Sequence, residues 1–340
     1  VGFLSSWSYF VGKAVSVALL ASAFVTPFYL NILPMHILPK LFWVYGLILM
    51  LALINIVGVS IGGKIQWLFT AIKFIPFSAV ICSAFLKGHW LSESFVGGWL
   101  GRSNLFYTIP VALFALSGFE VIANIGHMIK DPEKNAMPVA IASSLIVAGI
   151  YSLFQLSAYI LSGSELGIAA KPLEFLAGNL FYPFSNIGFM IDDFMLASML
   201  SGAFSLLTNN AWNMFALAKN RAFVGSRFAT KISFGGAPWV ALLIEVFISC
   251  LVLGITVNQL ALLNMSVFAT ALSYLITTIA ALVAFYKVPR IPWIIPLVGV
   301  FSCSYVLMVC SEKIIASGVS MAFVFVFSLG LFSAALKRFI

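Results

Sequence analysis

Residues 106–126 read FYTIPVALFALSGFEVIANIG, a stretch in which Glu120 is the only charged residue. At about 1.5 Å of rise per residue, a helix of this length can cross the roughly 30 Å hydrocarbon core of a membrane. Pro110 and Gly118 stand on either side of its centre, and a glycine allows a helix to unwind. We therefore predict a membrane-spanning helix that is interrupted within residues 114–120, so that unwound peptide groups can bind a solute beside a carboxylate.

The composition of the whole chain agrees with a membrane environment. Of its 340 residues, 62% are hydrophobic and only 8% are charged. Soluble domains are typically about 45–50% apolar and about 25% charged, so a soluble core could not hide this much apolar surface. The net charge of +8 includes no dense run of Lys and Arg. It therefore indicates basic loops beside a membrane, and we expect no nucleic-acid partner.

Long apolar runs recur along the chain, and each is long enough to span the bilayer as a helix. Backbone groups in lipid must bond within the segment, and a barrel would show alternating rather than continuous apolar runs. The sequence therefore predicts an all-α, polytopic membrane helix bundle that forms a single transmembrane domain over residues 1–340. The predicted spans are 7–30, 41–59, 65–86, 105–126, 138–162, 193–218, 238–256, 259–286, 292–310 and 316–336.

Basic residues are distributed unevenly between alternate loops. One set of loops carries eleven of them and the opposite set carries five. By the positive-inside rule the richer set faces the cytoplasm of a cell membrane (plasma or inner membrane), which places both Val1 and Ile340 on that side. The richer set is Lys64, Lys130, Lys134, Lys219, Arg221, Arg227, Lys231, Lys287, Arg290, Lys337 and Arg338. The opposite set is Lys40, Lys87, Arg102, Lys171 and Lys313.

Four ionisable residues fall inside predicted spans, where a charge costs at least about 2.5–3.5 kcal/mol on insertion scales. Lys73 is about 12 Å into its span, too deep for easy snorkelling to the interface. Glu120 could bind a cation, carry a proton or serve as a buried structural acid. Lys13 either snorkels or faces a cavity, and Glu245 is expected to make an interhelical polar contact.

Residues 113–138, LFALSGFEVIANIGHMIKDPEKNAMP, resemble the signature of the amino acid–polyamine–organocation transporters. The resemblance rests on the order of two motifs: Gly118-Phe119-Glu120, followed by Lys130-Asp131-Pro132 with Lys134, Asn135 and Pro138. Residues 66–73, QWLFTAIK, are similar to the fifth helix of that family, and residues 216–223, ALAKNRAF, to the end of its eighth. The resemblance extends over essentially the whole chain, and it is more specific for the superfamily than for a subfamily.

The resemblance implies a fold of twelve helices, of which the first ten form two five-helix halves with inverted topology. The ten spans correspond to the third to twelfth family helices, so counterparts of the first two are not found here. Because the family's first helix carries part of the substrate site, we expect either a longer native protein or an inactive remnant.

The resemblance also implies roles for individual residues. Phe114 corresponds to a gating aromatic, and the sixth-helix break that lines the substrate comprises Ala115, Leu116, Ser117 and Gly118. Glu120 corresponds to a coupling or gating carboxylate. Lys73 stands where sodium-dependent relatives bind sodium, and Lys13 near a substrate-facing position, which makes a cationic substrate less favourable. Weaker pocket candidates are Asn209, Asn210 and Ser266.

The functional expectation is a secondary active transporter, a permease or antiporter, for amino acids or related amines. It would work by alternating access, without sodium, by proton coupling or exchange, and it would need no cofactor or metal. One alternative is a transport-dead remnant or membrane sensor of the same fold. The other is an intramembrane enzyme, for which Asp192 and Asp193 offer only a pair expected at a loop edge, in water. The sequence leaves the substrate and the oligomeric state open.

Overall fold

The computed structural model describes residues 2–31, 39–87, 108–126, 129–167, 175–176, 178, 186–285 and 293–337. These residues are helical apart from short turns and connections, and none of them is in a β-strand. The helices of this part of the chain are α1 (Gly2–Asn31), α2 (Lys40–Val57), α3 (Val59–Lys87), α4 (Ile109–Leu116), α5 (Val121–Ile125), α6 (Pro132–Ser162), α7 (Asn186–Lys219), α8 (Ser226–Ala229), α9 (Trp239–Ile255), α10 (Gln259–Phe285), α11 (Ile294–Ala316) and α12 (Ser320–Leu336).

The predicted all-α membrane bundle is confirmed. Each predicted span corresponds to one main helix, except 105–126, which contains both α4 and α5. Within the described ranges, six helices are long and apolar enough to cross a membrane, and two shorter ones are similarly apolar. The apolar runs predict helices so well because lipid leaves the backbone no other way to satisfy its hydrogen bonds.

Several predicted boundaries are wrong, and the largest differences all lengthen the helix. α1 begins at Gly2 rather than 7, and α3 begins at Val59 rather than 65. α6 begins at Pro132 rather than 138, and α7 begins at Asn186 rather than 193. Asp192 and Asp193 therefore lie within a helix and not at a loop edge. α11 continues to Ala316 instead of ending at 310. Hydropathy marks where the lipid ends, whereas a helix can continue beyond it into water. α6 can begin at Pro132 because a proline is well tolerated at the first helical position.

α1 lies at the centre of the bundle. It packs against α2, α7, α9, α10 and α12, and a continuous series of its side chains is buried. Such a helix, buried around most of its circumference, is typical of an element surrounded by others. The contact with α10 is close at Gly12, where an added Cβ would lie 2.7 Å from Thr270 Oγ1 and 3.0 Å from the Ser266 carbonyl oxygen. The helix that carries Lys13 is therefore held rigidly in the core.

Candidate functional site

The predicted interruption of the helix is present. α4 ends at Leu116, α5 begins at Val121, and the residues between them form a turn. Gly118 has a φ of +133°, a region that L side chains rarely adopt, which is the physical reason for a glycine at this point. The Ser117 N–H closes the end of α4 by donating to the Leu113 carbonyl oxygen at 3.0 Å.

The turn leaves backbone acceptors free at the end of α4. The carbonyl oxygens of Ala115, Leu116 and Ser117 accept no backbone hydrogen bond from any residue that the structure describes. An unpaired peptide group is costly in a membrane unless water or a solute satisfies it. The break therefore presents a set of acceptors suited to an ammonium group.

Glu120 is the last residue of the turn and forms a buried ion pair with α1. Its Oε1 is 2.7 Å from Nζ of Lys13, and the two side chains are only 12% and 2% exposed. Its Oε2 accepts the Gly118 N–H at 2.7 Å. The Lys13 ammonium also donates to Ser117 Oγ at 3.3 Å, so α1 is linked directly to the break. Two intramembrane charges that the sequence presents separately thus neutralise each other.

Tyr9 and Asn209 extend this polar cluster toward α7. The Tyr9 hydroxyl donates to Glu120 Oε1 at 3.4 Å and accepts a hydrogen bond from Asn209 Nδ2 at 2.9 Å. Asn209 Oδ1 in turn accepts from Asn124 Nδ2 at 3.1 Å. The Lys13 ammonium lies 5.1 Å from the centroid of the Tyr9 ring, within range of a cation–π interaction. Helices α1, α5 and α7 are therefore joined around one carboxylate.

Sequence reasoning missed two members of this cluster, Tyr9 and Asn124. Tyr9 precedes Lys13 by four residues, and Asn124 follows Glu120 by four. Residues four apart lie on one helix face, so a polar side chain one turn from an intramembrane charge was a usable signal. Polar residues at that spacing share the environment of the charge.

The other predicted site residues lie around the cluster rather than in it. Asn210 donates to the Phe10 carbonyl oxygen at 3.0 Å, and Ser266 forms a hydroxyl pair with Ser16; both are buried between helices. Phe114 packs against the apolar core. Only Asn209 among the three weaker pocket candidates contacts the cluster directly.

A cavity of about 850 Å³ lies between α3, α4 and α6. Its wall includes Ala115 and Leu116 together with aromatic side chains such as Phe77 and Tyr151. Cavities of this size accommodate small organic solutes. Lys73 in α3 is half-buried, and among described residues no hydrogen bond or ion pair joins it to the cluster.

A multi-pass helical bundle with a helix broken beside buried charged groups is typical of membrane transporters. The chain belongs to the amino acid permease family, whose family model matches residues 1–335. The resemblance found in the sequence is thereby confirmed, and the family is one of transporters rather than enzymes.

Curated relatives are similar over most of the chain. The serine/threonine exchanger SteT of Bacillus subtilis is 25% identical over 278 residues, which cover 76% of this chain and 61% of that protein. An uncharacterized transporter of Mycobacterium tuberculosis is 24% identical over 340 residues, covering 93% of this chain and 70% of that protein. The chain thus spans about three fifths of the length of the exchanger that it matches.

Proposed function

We propose that the protein carries amino acids or related amines across the cell membrane by alternating access. Transport is independent of sodium and proceeds by exchange or by proton coupling. The observation that carries this proposal is the interruption at residues 117–120, which leaves unpaired carbonyl oxygens next to the Lys13–Glu120 ion pair. Membership of the amino acid permease family supports the substrate class.

The ion pair favours a zwitterionic substrate. An amino acid carries an ammonium, which can pair with the Glu120 carboxylate, and a carboxylate, which can pair with the Lys13 ammonium. The free carbonyl oxygens can accept further N–H groups of the substrate. A substrate with an additional positive charge finds the carboxylate already neutralised by Lys13. Neutral amino acids are therefore the preferred substrates.

Lys73 supports independence from sodium. It is fixed in α3 and half-buried, and a resident ammonium disfavours a second cation in its surroundings. The distribution of basic residues supports an orientation in which the loop between α7 and α9 faces the cytoplasm. Bound solute shifts the inward–outward equilibrium only to the extent that it binds the two states differently.

The test is uptake by the purified protein in proteoliposomes. L-Serine and L-threonine are the first labelled solutes to try, because one relative is named as their exchanger. We expect uptake that is unaffected by replacing sodium with potassium and is lost in Glu120→Gln. Glu133→Gln, an exposed carboxylate at the start of α6, is the matched control and retains uptake.

Two results would contradict the proposal. One is uptake no greater than in protein-free liposomes for a panel of amino acids and amines. The other is a Glu120→Gln variant that transports as fast as the unchanged protein, because the carboxylate beside the break would then have no part in the reaction.

A further inference from the structure

A second carboxyl lies in the bundle, away from the break. Glu245 is on α9 and is 0% exposed, among side chains such as Leu242, Val246 and Ser249 that are buried with it. The sequence led us to expect an interhelical polar contact for it. Asn210 of α7 is next to it, but neither carboxyl oxygen lies at hydrogen-bonding geometry to a donor in the described part of the chain.

A second acceptor beside Glu245 is also unsatisfied. Asn210 is fully buried, and its Oδ1 has no hydrogen-bond partner among the described residues. Its Nδ2 already donates to the Phe10 carbonyl oxygen at 3.0 Å. The site therefore contains three oxygen acceptors without a partner, two of the carboxyl and one of the amide. The donor beside them, the Asn210 amide nitrogen, already donates to Phe10 and makes no hydrogen bond of standard geometry to the carboxyl.

A proton supplies the donor that is missing. An ionised carboxylate without a cation or hydrogen-bond donor is very unfavourable in a dry interior, where such groups are neutralised instead. A protonated carboxyl has one O–H donor. One proton therefore removes the uncompensated charge and supplies a donor beside the Asn210 amide, whose Oδ1 has no partner among the described residues.

We propose that Glu245 is a proton-binding site of this transporter, and that the conformation described here requires the proton. Binding is a simple equilibrium in which a carboxylate oxygen takes a proton from water and forms an O–H bond. Loss of the proton would leave a charge in the core of α1, α7 and α9, and would thus favour a conformation in which water reaches this interface. This coupling role rests on the proposed transport function, whereas proton binding itself does not.

The elements that pack against α9 offer few other groups that could titrate in this role. α1 carries Tyr9, Lys13 and Tyr29, of which Tyr9 and Lys13 both contact Glu120 and Tyr29 lies near the C-terminal end of the helix. α2 carries Lys40 at its start and Tyr45, whose hydroxyl donates to the Cys250 carbonyl of α9 itself. The part of α7 beside it, residues 201–218, and α12 contain no titratable side chain, and α8 has only the exposed Arg227.

A metal cation fits the site less well than a proton. Cations in proteins take several oxygen ligands, and hard cations typically need six or more. Here the unpartnered oxygens number three, and the other nearby groups are engaged: Ser249 donates to the Ala14 carbonyl at 2.9 Å. We therefore assign the site to a proton.

Adjacent residues connect this site with the cluster at the break. On α1, Tyr9 contacts Glu120 and Phe10 accepts from Asn210; on α7, Asn209 contacts Tyr9. The two carboxyls thus share neighbouring residues on two helices. A change at either carboxyl acts on the same pair of helices.

Infrared spectroscopy of the purified protein in lipid tests proton binding directly. We expect the unchanged protein to show the carbonyl stretch of a protonated carboxyl at neutral pH, in a band that shifts on exchange into D₂O. Glu245→Gln, which has nearly the same shape and no charge, should lose that band. Glu120→Gln should retain it, because the ion-paired Glu120 is ionised. Absence of the band, or its persistence in Glu245→Gln, overturns the proposal.

Transport assays test the coupling role. An inward proton gradient should accelerate uptake of L-serine or L-threonine by the unchanged protein and by Glu133→Gln, and this acceleration should be lost in Glu245→Gln. Equal acceleration in Glu245→Gln overturns the coupling role. If uptake instead depends on sodium at constant pH and loses that dependence in Glu245→Gln, the proposal is overturned, because the ion bound at Glu245 would then be sodium rather than a proton. If the unchanged protein transports nothing, the proposed function fails, while the infrared band still decides proton binding.

Discussion

The Lys13 ammonium and the Glu120 carboxylate are each unfavourable alone at membrane depth, and their arrangement shows how both are tolerated. Besides Lys13, the carboxylate has the Gly118 N–H and the Tyr9 hydroxyl as donors. A buried pair of this kind gains from mutual attraction only if its remaining hydrogen-bonding groups are satisfied. Removing one partner leaves the other buried and uncompensated.

Lys13→Gln should therefore destabilise the protein strongly. Breaking a buried pair by removing one partner typically costs about 3–5 kcal/mol. We expect a lower free energy of unfolding in Lys13→Gln, and recovery of much of it in the double variant Lys13→Gln/Glu120→Gln, measured by thermal denaturation in detergent. Lys134→Gln, at an exposed position of α6, is the control. Additive losses in the double variant would show that the two side chains are not coupled.

Charge selectivity should also depend on Lys13. Without its ammonium, Glu120 becomes an open counter-ion for a cationic solute, since opposite charges about 4 Å apart attract by roughly 4 kcal/mol near a protein surface. In Lys13→Gln we expect inhibition of L-serine uptake by L-ornithine to strengthen about tenfold or more. Unchanged inhibition would mean that the ion pair does not select for substrate charge.

At the scale of elements, the break between α4 and α5 depends on Gly118. Its φ of +133° is unfavourable for other residues, although no atom within 4 Å would meet an added Cβ. The backbone conformation, rather than a lack of space, therefore favours glycine at this position. The turn is needed because it aims the Gly118 N–H at Glu120 and frees the carbonyls of α4.

Gly118→Ala should lose uptake and lower the stability by about 1–3 kcal/mol, the usual cost of holding a residue in a sparsely populated backbone region. Gly149→Ala is the matched control, because Gly149 is within α6 and also has open space around its Cα. That variant should be neutral or slightly more stable, since alanine is the better helix former. Equal uptake by Gly118→Ala and Gly149→Ala would show that transport does not depend on the turn at Gly118.

The close approach of α1 and α10 gives a prediction for packing. An added Cβ at Gly12 would meet both a side chain and the backbone of α10. Gly12→Ala should lower the free energy of unfolding by about 1–3 kcal/mol through overpacking. Gly46→Ala, with no atom within 4 Å of the added Cβ, should lower neither thermal stability nor uptake. A similar loss in both variants would show that the close contact at Gly12 is not its cause, because Gly46 has open space and alanine is the better helix former.

The break could be predicted from the sequence, but the pairing across it could not. Pro110, Gly118 and the lone Glu120 mark the interruption because they act through local backbone and solvation physics. Lys13 and Glu120 are more than a hundred residues apart, and their contact depends on how α1 packs in the bundle. Tyr9 lies one helical turn from Lys13, and Asn209 was a predicted pocket candidate, but the hydrogen bonds that join them to Glu120 depend on the same packing.

At the scale of the whole molecule, the order of the helices followed from hydropathy, whereas their arrangement around α1 did not. Apolar runs report only the length of chain in contact with lipid or core. Which helix lies at the centre depends on the fit between surfaces, as at Gly12. The orientation in the membrane remains a prediction from the distribution of charge.

That orientation can be tested by labelling. Phe234 lies fully exposed between α8 and α9, and Val257 is exposed between α9 and α10, at the other end of α9. With the exposed Cys82 replaced by serine, Phe234→Cys in right-side-out vesicles should resist a membrane-impermeant maleimide, while Val257→Cys should react. The reverse pattern would place the loop after α7 outside the cell.

Asn209 and Asn210 are consecutive residues on α7, yet they lie near two different carboxyls. Asn209 donates to Tyr9, a partner of Glu120, and Asn210 lies beside Glu245. Successive residues point about 100° apart around a helix. A small rotation of α7 about its axis would thus withdraw one amide from Tyr9 and the other from the surroundings of Glu245 together. Unloading of solute and of proton would then be a single mechanical event, and a variant that slows one should slow the other in equal measure.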